Sequence, residues 1–154
     1  MNPEFLRQAV EQAVENVRRG GGPFGALVVK DGMVIAAGSN RVTATNDPTA
    51  HAEIVAIREA CRTLGSFQLT GCDVYCSCEP CPMCLGALFW ARPARIFFAA
   101  TAADAAAAGF DDSFIYQQLA IPQAGRAIPT IHVAGQSAQR PFEAWAARAD
   151  KVRY

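Results

Sequence analysis

The sequence lacks an excess of charge of either sign, and it lacks a long apolar run. Lys and Arg total 14, and Asp and Glu also total 14, among 154 residues. Nothing in this balance indicates the basic surface that holds nucleic acid. No apolar run approaches the roughly 18–20 residues that span a membrane, and the first residues lack the charged-then-apolar layout of a signal peptide. We therefore expect a cytoplasmic protein with neither nucleic-acid nor membrane partners.

Histidine is scarce, whereas cysteine is clustered. The chain has 2 histidines, and five of its 6 cysteines lie between residues 72 and 84. Without a signal peptide, such a cluster is more typical of metal ligands and buried thiols than of disulfides. His51, Cys81 and Cys84 are ligand types that zinc prefers, and three protein ligands leave a fourth tetrahedral position for water. Because Glu53 adds a carboxylate two residues after the histidine, the set is typical of a hydrolytic zinc centre.

The two cysteines are predicted to lie at the start of a helix. Cys81 and Cys84 are three residues apart, which places both thiols on one helix face. Pro80 and Pro82 fit a helix start, because proline in the first turn loses no hydrogen bond. The N–H groups of a helix N-terminus stabilise thiolates, which are the form that binds metal.

His51 and Glu53 are predicted to lie in the first turn of a second helix. Two residues correspond to about 200° of rotation, so these side chains cannot share a helix face. Both can reach one ion only from the first turn of a helix that lies end-on to the metal. Asp47 or Thr49 is predicted to cap this helix.

A structural zinc site is an alternative for the same residues. Such a site would take a fourth Cys or His, and Cys76 and Cys78 are available on a predicted strand where they share a face. His132 lies in an apolar stretch without partners nearby in sequence and is interpreted as structural. If the four central residues were unrelated, they would be a buried histidine, a surface acid and two core thiols, but their joint pattern favours zinc.

The alternation of strands and helices predicts a single domain, residues 1–154, with an α/β three-layer architecture. Its central sheet is expected to be mixed, with about five strands. The predicted strands are 26–30, 33–38, 73–78, 95–100 and 131–134. The predicted helices run from Asn2 to Arg19, from the cap at Asp47 or Thr49 to Leu64, from about Cys81 to Trp90 and from Pro141 to Tyr154. Residues 102–108, which are mostly alanine, are predicted to form a helical turn.

The chain resembles bacterial guanine deaminases, which belong to the cytidine deaminase-like superfamily. The histidine-glutamate and cysteine motifs are shared with tRNA adenosine, cytosine and cytidine deaminases and indicate only the chemistry. The resemblance to guanine deaminases is most specific in Gly109–Tyr116 and in the terminal tyrosine. The motifs that carry it are Gly22–Ala26, Asn46–Glu53, Ser77–Ala87, Trp90–Pro93, Gly109–Tyr116 and Tyr154.

The resemblance implies a three-layer cytidine deaminase-like fold and one zinc ion on His51, Cys81 and Cys84, with Glu53 as proton shuttle. It implies that a water activated by zinc attacks C2 of guanine, giving xanthine and ammonia. It also implies a homodimer that exchanges its C-terminal segment, about 113–154. The substrate contacts that it implies are Asn40, Phe24, Trp90, Asp112 and Tyr154, the last two from either chain of the dimer. Cys76 is a departure, since relatives have a hydroxyl residue there.

Three alternative functions remain open at this point. A tRNA adenosine deaminase would share the zinc chemistry, but it should have a basic face that the balanced charge does not indicate. Another small ring, such as guanosine, cytosine or an aminotriazine, would be selected by a pocket shape that a sequence does not reveal. A non-catalytic zinc module would have no use for Glu53 beside an open zinc position.

Overall fold

The structure is a computed structural model that describes residues 2–135 and 137–154. The chain divides into two units, Met1–Ser113 and Phe114–Tyr154. In the described ranges, no helix has both the length and the apolar character needed to cross a membrane.

A mixed sheet of four strands forms the centre of the first unit. The strands are β1 (Gly25–Lys30), β2 (Met33–Ser39), β3 (Cys72–Cys78) and β4 (Arg95–Ala100). They lie in the order β2-β1-β3-β4; β1 is antiparallel to both neighbours, and β3 and β4 are parallel. Asp31 and Gly32 join β1 to β2 with φ values of 50° and 75°. Positive φ at both positions is the conformation of the tight hairpin turn that the Asp-Gly pair predicts.

Helices cover both faces of this sheet. The first unit contains α1 (Pro3–Arg18), α2 (Val42–Thr45), α3 (Ala52–Leu64), α4 (Pro82–Ala91) and α5 (Ala102–Ala107). On one face, Ala9 of α1 packs in a cluster with Leu27, Val29 and Tyr75. On the other, residues of α3 and α4 pack with Ala26 and Val28. Because successive strand residues point to opposite faces, β1 contributes to both clusters, and the predicted three-layer arrangement is confirmed.

Two glycines allow α1 and α3 to approach the backbone of the sheet. A Cβ placed on Gly25 would lie 2.4 Å from the carbonyl oxygen of Ala9 in α1. A Cβ placed on Gly38 would lie 2.1 Å from the carbonyl oxygen of Ala52 and 2.6 Å from the amide nitrogen of Ala56, both in α3. The absence of a side chain at Gly38 therefore sets how closely the start of α3 packs on β2.

The second unit is helical in its regular parts and corrects two predictions. Residues 113–120 form α6 (Ser113–Ala120), and α7 spans Arg140–Ala147. The predicted strand at Ile131–Ala134 is wrong: these four side chains are exposed, and no described segment of this unit forms a strand that could pair with them. The sheet therefore has four strands and not about five.

The last predicted helix ends earlier than Tyr154. Arg148 is extended (φ −70°, ψ 125°) and pairs with Asp150 at 2.9 Å. Lys151 donates hydrogen bonds from Nζ to the carbonyl oxygens of Ala146 and Arg148. These side chains satisfy backbone groups that a continuing helix would otherwise use, so α7 ends at Ala147.

Candidate active site

Two helices of the first unit begin with residues that were predicted to bind metal. His51 is the N-cap of α3 and Cys81 is the N-cap of α4, and both have extended backbone conformations. The predicted caps, Asp47 and Thr49, are wrong. Asp47 instead accepts hydrogen bonds from the backbone N–H and the hydroxyl of Thr49 at 2.8 and 2.7 Å, which closes a local turn before the helix.

The three predicted ligands lie together. The Nδ1 atom of His51 is 3.6 Å from the Sγ atom of Cys81. The donor atoms of His51, Cys81 and Cys84 all lie within 4.8 Å of one another. Cys84, in the first turn of α4, is fully buried, and its thiol lies 3.4 Å from Oε2 of Glu53. Glu53 is 6% exposed, so its carboxylate is held in a desolvated position beside the donor atoms.

These distances fit a zinc ion. Tetrahedral bonds of about 2.3 Å to sulfur and about 2.05 Å to nitrogen put the two donor atoms about 3.6 Å apart. The distance between His51 Nδ1 and Cys81 Sγ has this value. The donor set of two thiols and one imidazole therefore fits zinc in both chemistry and spacing.

The protonation equilibria of the cluster depend on its close packing. A hydrogen bond from the Cys84 thiol, together with His51, lowers the pKa of Cys81 to about 4. Pairing with Cys81 and burial raise the pKa of Cys84, so the two thiols lose their protons in sequence, Cys81 first. The hydrogen bond with Cys81 raises the pKa of His51, and burial raises that of Glu53. A bound cation favours the deprotonated donors that zinc requires.

Cys76 and Cys78 do not join the donor group in the described part of the chain. Cys76 is fully buried in the sheet, where burial raises its thiol pKa well above the usual range. The thiol of Cys78 lies 3.6 Å from the carbonyl oxygen of Thr101. A four-ligand structural site is therefore not supported, and the fourth position beside Glu53 has no protein ligand among the described residues.

Asn40 and Phe24, two of the predicted substrate contacts, lie beside each other. The backbone N–H of Asn40 donates to the carbonyl oxygen of Phe24 at 3.2 Å. Asn16 of α1 holds both segments, because its Nδ2 atom donates to the carbonyl oxygens of Gly22 at 2.8 Å and of Asn40 at 2.9 Å. Sequence reasoning did not assign Asn16 a role, since a polar residue near a helix end is an ordinary surface feature.

Asp112 belongs to the same unit as the three predicted ligands. Its pKa is raised by burial and by the negative charge of Cys81. Two residues earlier, the ring of Phe110 packs edge-on against the ring of Phe24, with centroids 5.0 Å apart. Phe110 was not predicted as a site residue, although its place in the Gly-Phe-Asp-Asp motif was the available signal.

Trp90 and Tyr154 are not part of this donor cluster. Trp90 is 64% exposed and lies six residues after Cys84 in α4, which is about 9 Å along the helix axis. Tyr154 belongs to the second unit and is 72% exposed. Their contacts with substrate remain predictions.

Comparison with known proteins agrees with the donor set. Residues 1–100 match the family described as the cytidine and deoxycytidylate deaminase zinc-binding region. The chain belongs to this deaminase family. His51, Cys81 and Cys84 therefore form the donor set of a zinc-binding domain, and this domain binds one zinc ion.

Within the deaminase family, the chain is similar over its full length to guanine deaminase of Bacillus subtilis (strain 168). The two are 56% identical over 156 residues, covering 100% of both chains. A crystal structure of guanine deaminase from Bacillus subtilis aligns with a TM-score of 0.98, covering 100% of this chain and 99% of that one, and confirms the predicted fold. The tRNA-specific adenosine deaminase of Aquifex aeolicus (strain VF5) is 44% identical over 96 residues, which cover 62% of this chain and 64% of the relative.

Proposed function

We propose that this protein is a zinc-dependent deaminase that hydrolyses guanine to xanthine and ammonia. One observation carries the choice of guanine. Similarity to the Bacillus subtilis guanine deaminase extends over 100% of the chain, whereas similarity to the Aquifex aeolicus tRNA-specific adenosine deaminase covers 62%. The shared deaminase region, residues 1–100, carries the zinc ligands, and the residues after it include Asp112 and Tyr154.

The proton transfers are assigned to Glu53. Zinc bound by His51, Cys81 and Cys84 supplies Lewis-acid activation of water at neutral pH. As the oxygen of the attacking water bonds to C2, Glu53 accepts a proton from this water. Glu53 then delivers that proton to the neighbouring ring nitrogen. It then carries the remaining proton, from the hydroxyl group now on C2, to the amine. The amine leaves as ammonia, and C2 becomes the carbonyl carbon of xanthine. Burial, which raises the pKa of Glu53, suits a carboxyl group that acts first as a base and then as an acid.

Recognition of the base is assigned to side chains around this centre. Guanine presents several N–H donors on its ring edge, and the carboxylate of Asp112 accepts such donors. Asp112 lies in the unit that carries the zinc ligands, and the charge of Cys81 contributes to raising its pKa. Both observations support a contribution from the same chain as the zinc ligands. Phe24 offers a ring for stacking, and Asn40 offers an amide. Trp90 and Tyr154 complete the proposed set of contacts.

Ammonia release from the purified protein tests the proposal. Guanine, guanosine, cytosine, an aminotriazine and an anticodon stem-loop RNA are offered side by side, with Glu53→Gln as the inactive control. We expect guanine to be preferred and xanthine to form in equal amount to ammonia. Preference for the RNA would retain the zinc chemistry but overturn the substrate assignment. Inactivity toward every compound in protein with bound zinc would favour a non-catalytic module.

We further propose a homodimer in which the second unit, starting at about residue 113, is exchanged between chains. The second unit exposes many large apolar side chains, which is typical of a surface that a partner covers. The first unit carries an apolar groove of about 530 Å³ whose lining includes Val10, Val14 and Val17 of α1. The exposed residues of the second unit include Phe114, Ile115, Leu119, Ile128, Ile131, Val133, Phe142, Val152 and Tyr154. Together these surfaces support an exchanged dimer in which the second unit of the partner fills the apolar groove of the first unit.

Subunit mixing tests the exchange. Glu53→Ala and Tyr154→Ala variants are each expected to lose activity. If Tyr154 serves the partner's site, a co-expressed mixed dimer contains one site with both native residues, so a statistical mixture regains about a quarter of the native activity. No recovery in confirmed mixed dimers would overturn the exchange.

We also propose a cytoplasmic location, because zinc requires the thiols in reduced form.

A further inference from the structure

We infer that Glu79 is a positioning residue that anchors the segment bearing Asp112, residues 102–112, to the cysteine loop, residues 79–81. Glu79 precedes Pro80 and Cys81, but it is not a predicted zinc ligand or substrate contact. The inference rests on the proposed function, because its main readout is the affinity for guanine.

Contacts from two consecutive residues fasten the end of β3 to the start of α5. The carboxylate of Glu79 accepts a hydrogen bond from the backbone N–H of Ala102, the first residue of α5, at 3.0 Å. The backbone N–H of Glu79 donates to the carbonyl oxygen of Ala100 at 2.8 Å. The neighbouring thiol of Cys78 donates to the carbonyl oxygen of Thr101 at 3.6 Å. The chain therefore enters α5 at a point fixed relative to the cysteine loop.

The side chains of α5 contribute no fully buried contact, although Ala102 and Ala105 are half-buried. α5 contains five alanines and one aspartate, and none of its residues is buried. Asp104 and Thr101 form a capping box within the helix start, but this stabilises the helix without attaching it to the rest of the unit. An exposed helix of six residues is marginal in isolation, so its position depends on the contacts at its two ends.

The other end of α5 leads directly to the base-recognition segment. The N–H groups of Gly109 and Phe110 donate to carbonyl oxygens of the last turn at 3.0 and 2.9 Å, and Gly109 has a φ of 92°. The Phe110 ring rests on Phe24, and Asp112 follows two residues later. Displacement of the start of α5 is thus transmitted to Asp112. The Glu79 carboxylate resists this displacement through its hydrogen bond with the N–H of Ala102, beside the weaker contact of the Cys78 thiol with Thr101.

Replacing Glu79 by alanine tests this role. In Glu79→Ala, the segment is less ordered before guanine binds, and ordering it on binding costs free energy. The affinity for guanine therefore falls, although no group that acts in the chemistry has been removed. Loss of one hydrogen bond to a charged group predicts a rise in KM of about tenfold or more, with kcat within about threefold and one zinc ion per chain retained. Glu79→Gln keeps a carbonyl acceptor for the Ala102 N–H and is expected to restore KM to near its native value.

A matched variant and a second measurement separate this role from general stabilisation. Glu59→Ala removes a carboxylate that pairs with Arg62 on the surface of α3 and should leave KM unchanged. Hydrogen exchange should show faster exchange at residues 102–112 in Glu79→Ala, with α4 unaffected. The inference would be overturned if Glu79→Ala had a native KM and native hydrogen exchange at residues 102–112. A lower melting temperature would not rescue it, because that change alone would indicate only general destabilisation. If the native protein does not deaminate guanine, the proposed function fails, and the exchange measurement still decides whether Glu79 anchors the segment.

Discussion

Replacing Gly38 by alanine should damage the metal centre although the side chain is not a ligand. The added Cβ would lie 2.1 Å from the carbonyl oxygen of Ala52, whereas real Cβ contacts essentially never fall below 3.0 Å. The separation between β2 and the start of α3 must therefore increase by at least 0.9 Å at this contact. β2 is held by its backbone pairing with β1, in which Gly38 lies opposite Ala26, so the helix is the element that moves.

The displacement is large compared with what zinc tolerates. His51 and Glu53 move with α3, whereas Cys81 and Cys84 belong to α4. Metal–ligand distances vary by only about 0.2 Å in sound sites, and a misplacement of about 1 Å typically reduces catalysis about 100-fold. We expect Gly38→Ala to lower zinc affinity at least tenfold and kcat/KM about 100-fold. Overpacking should also lower the free energy of unfolding by about 1–3 kcal/mol.

Gly25→Ala is the matched control for this change. Its Cβ would lie 2.4 Å from the carbonyl oxygen of Ala9, so it displaces α1, which carries no predicted ligand. Urea denaturation should show a comparable loss of stability in both variants, whereas competition with a chromophoric chelator should show weaker zinc binding in Gly38→Ala alone. The reasoning is refuted if folded Gly38→Ala binds zinc with native affinity, or if both variants lose zinc equally.

Three other changes have defined outcomes. Glu53→Gln should retain one zinc ion by metal analysis and lose at least 100-fold in kcat; near-native turnover would remove Glu53 from the mechanism. Gly86→Ala should raise the free energy of unfolding by about 0.5–1 kcal/mol in urea titration, because Gly86 lies within α4 with nothing within 4 Å of an added Cβ. A decrease would show that neighbouring atoms crowd this position of α4. Zinc removal by a chelator should abolish ammonia release but preserve the far-ultraviolet circular dichroism spectrum, because both core clusters consist of packed side chains; unfolding on chelation would mean that zinc scaffolds the fold.

Much of the first unit could be predicted because local signals there agree with one another. The Asp31–Gly32 pair predicts a tight hairpin turn, because these two residues readily adopt the positive φ angles that the turn requires. The requirement that His51 and Glu53 lie in a first turn follows from helix geometry. The cap itself was mispredicted, because Asp47 uses its carboxylate in a turn with Thr49. Sequence does not show which of two local hydrogen bonds an aspartate makes.

The remaining differences depend on contacts between distant parts of the chain. The packing of Phe110 on Phe24 joins residues 86 positions apart, and no local pattern encodes it. The apolar stretch Ile131–Ala134 satisfies strand propensity, but a strand also requires a neighbour with which to pair. The described part of the second unit provides none.

The exposure of α5 has a consequence for how such proteins diverge. The proposed chemical groups are fixed to α3 and α4, which pack in the main core, so substitutions near them disturb folding and reaction together. Asp112 instead follows a helix with no buried residue, and changes along that segment have little effect on the core. If Asp112 recognises the base as we propose, substitutions in its segment can change the substrate while the hydrolytic groups on α3 and α4 are preserved.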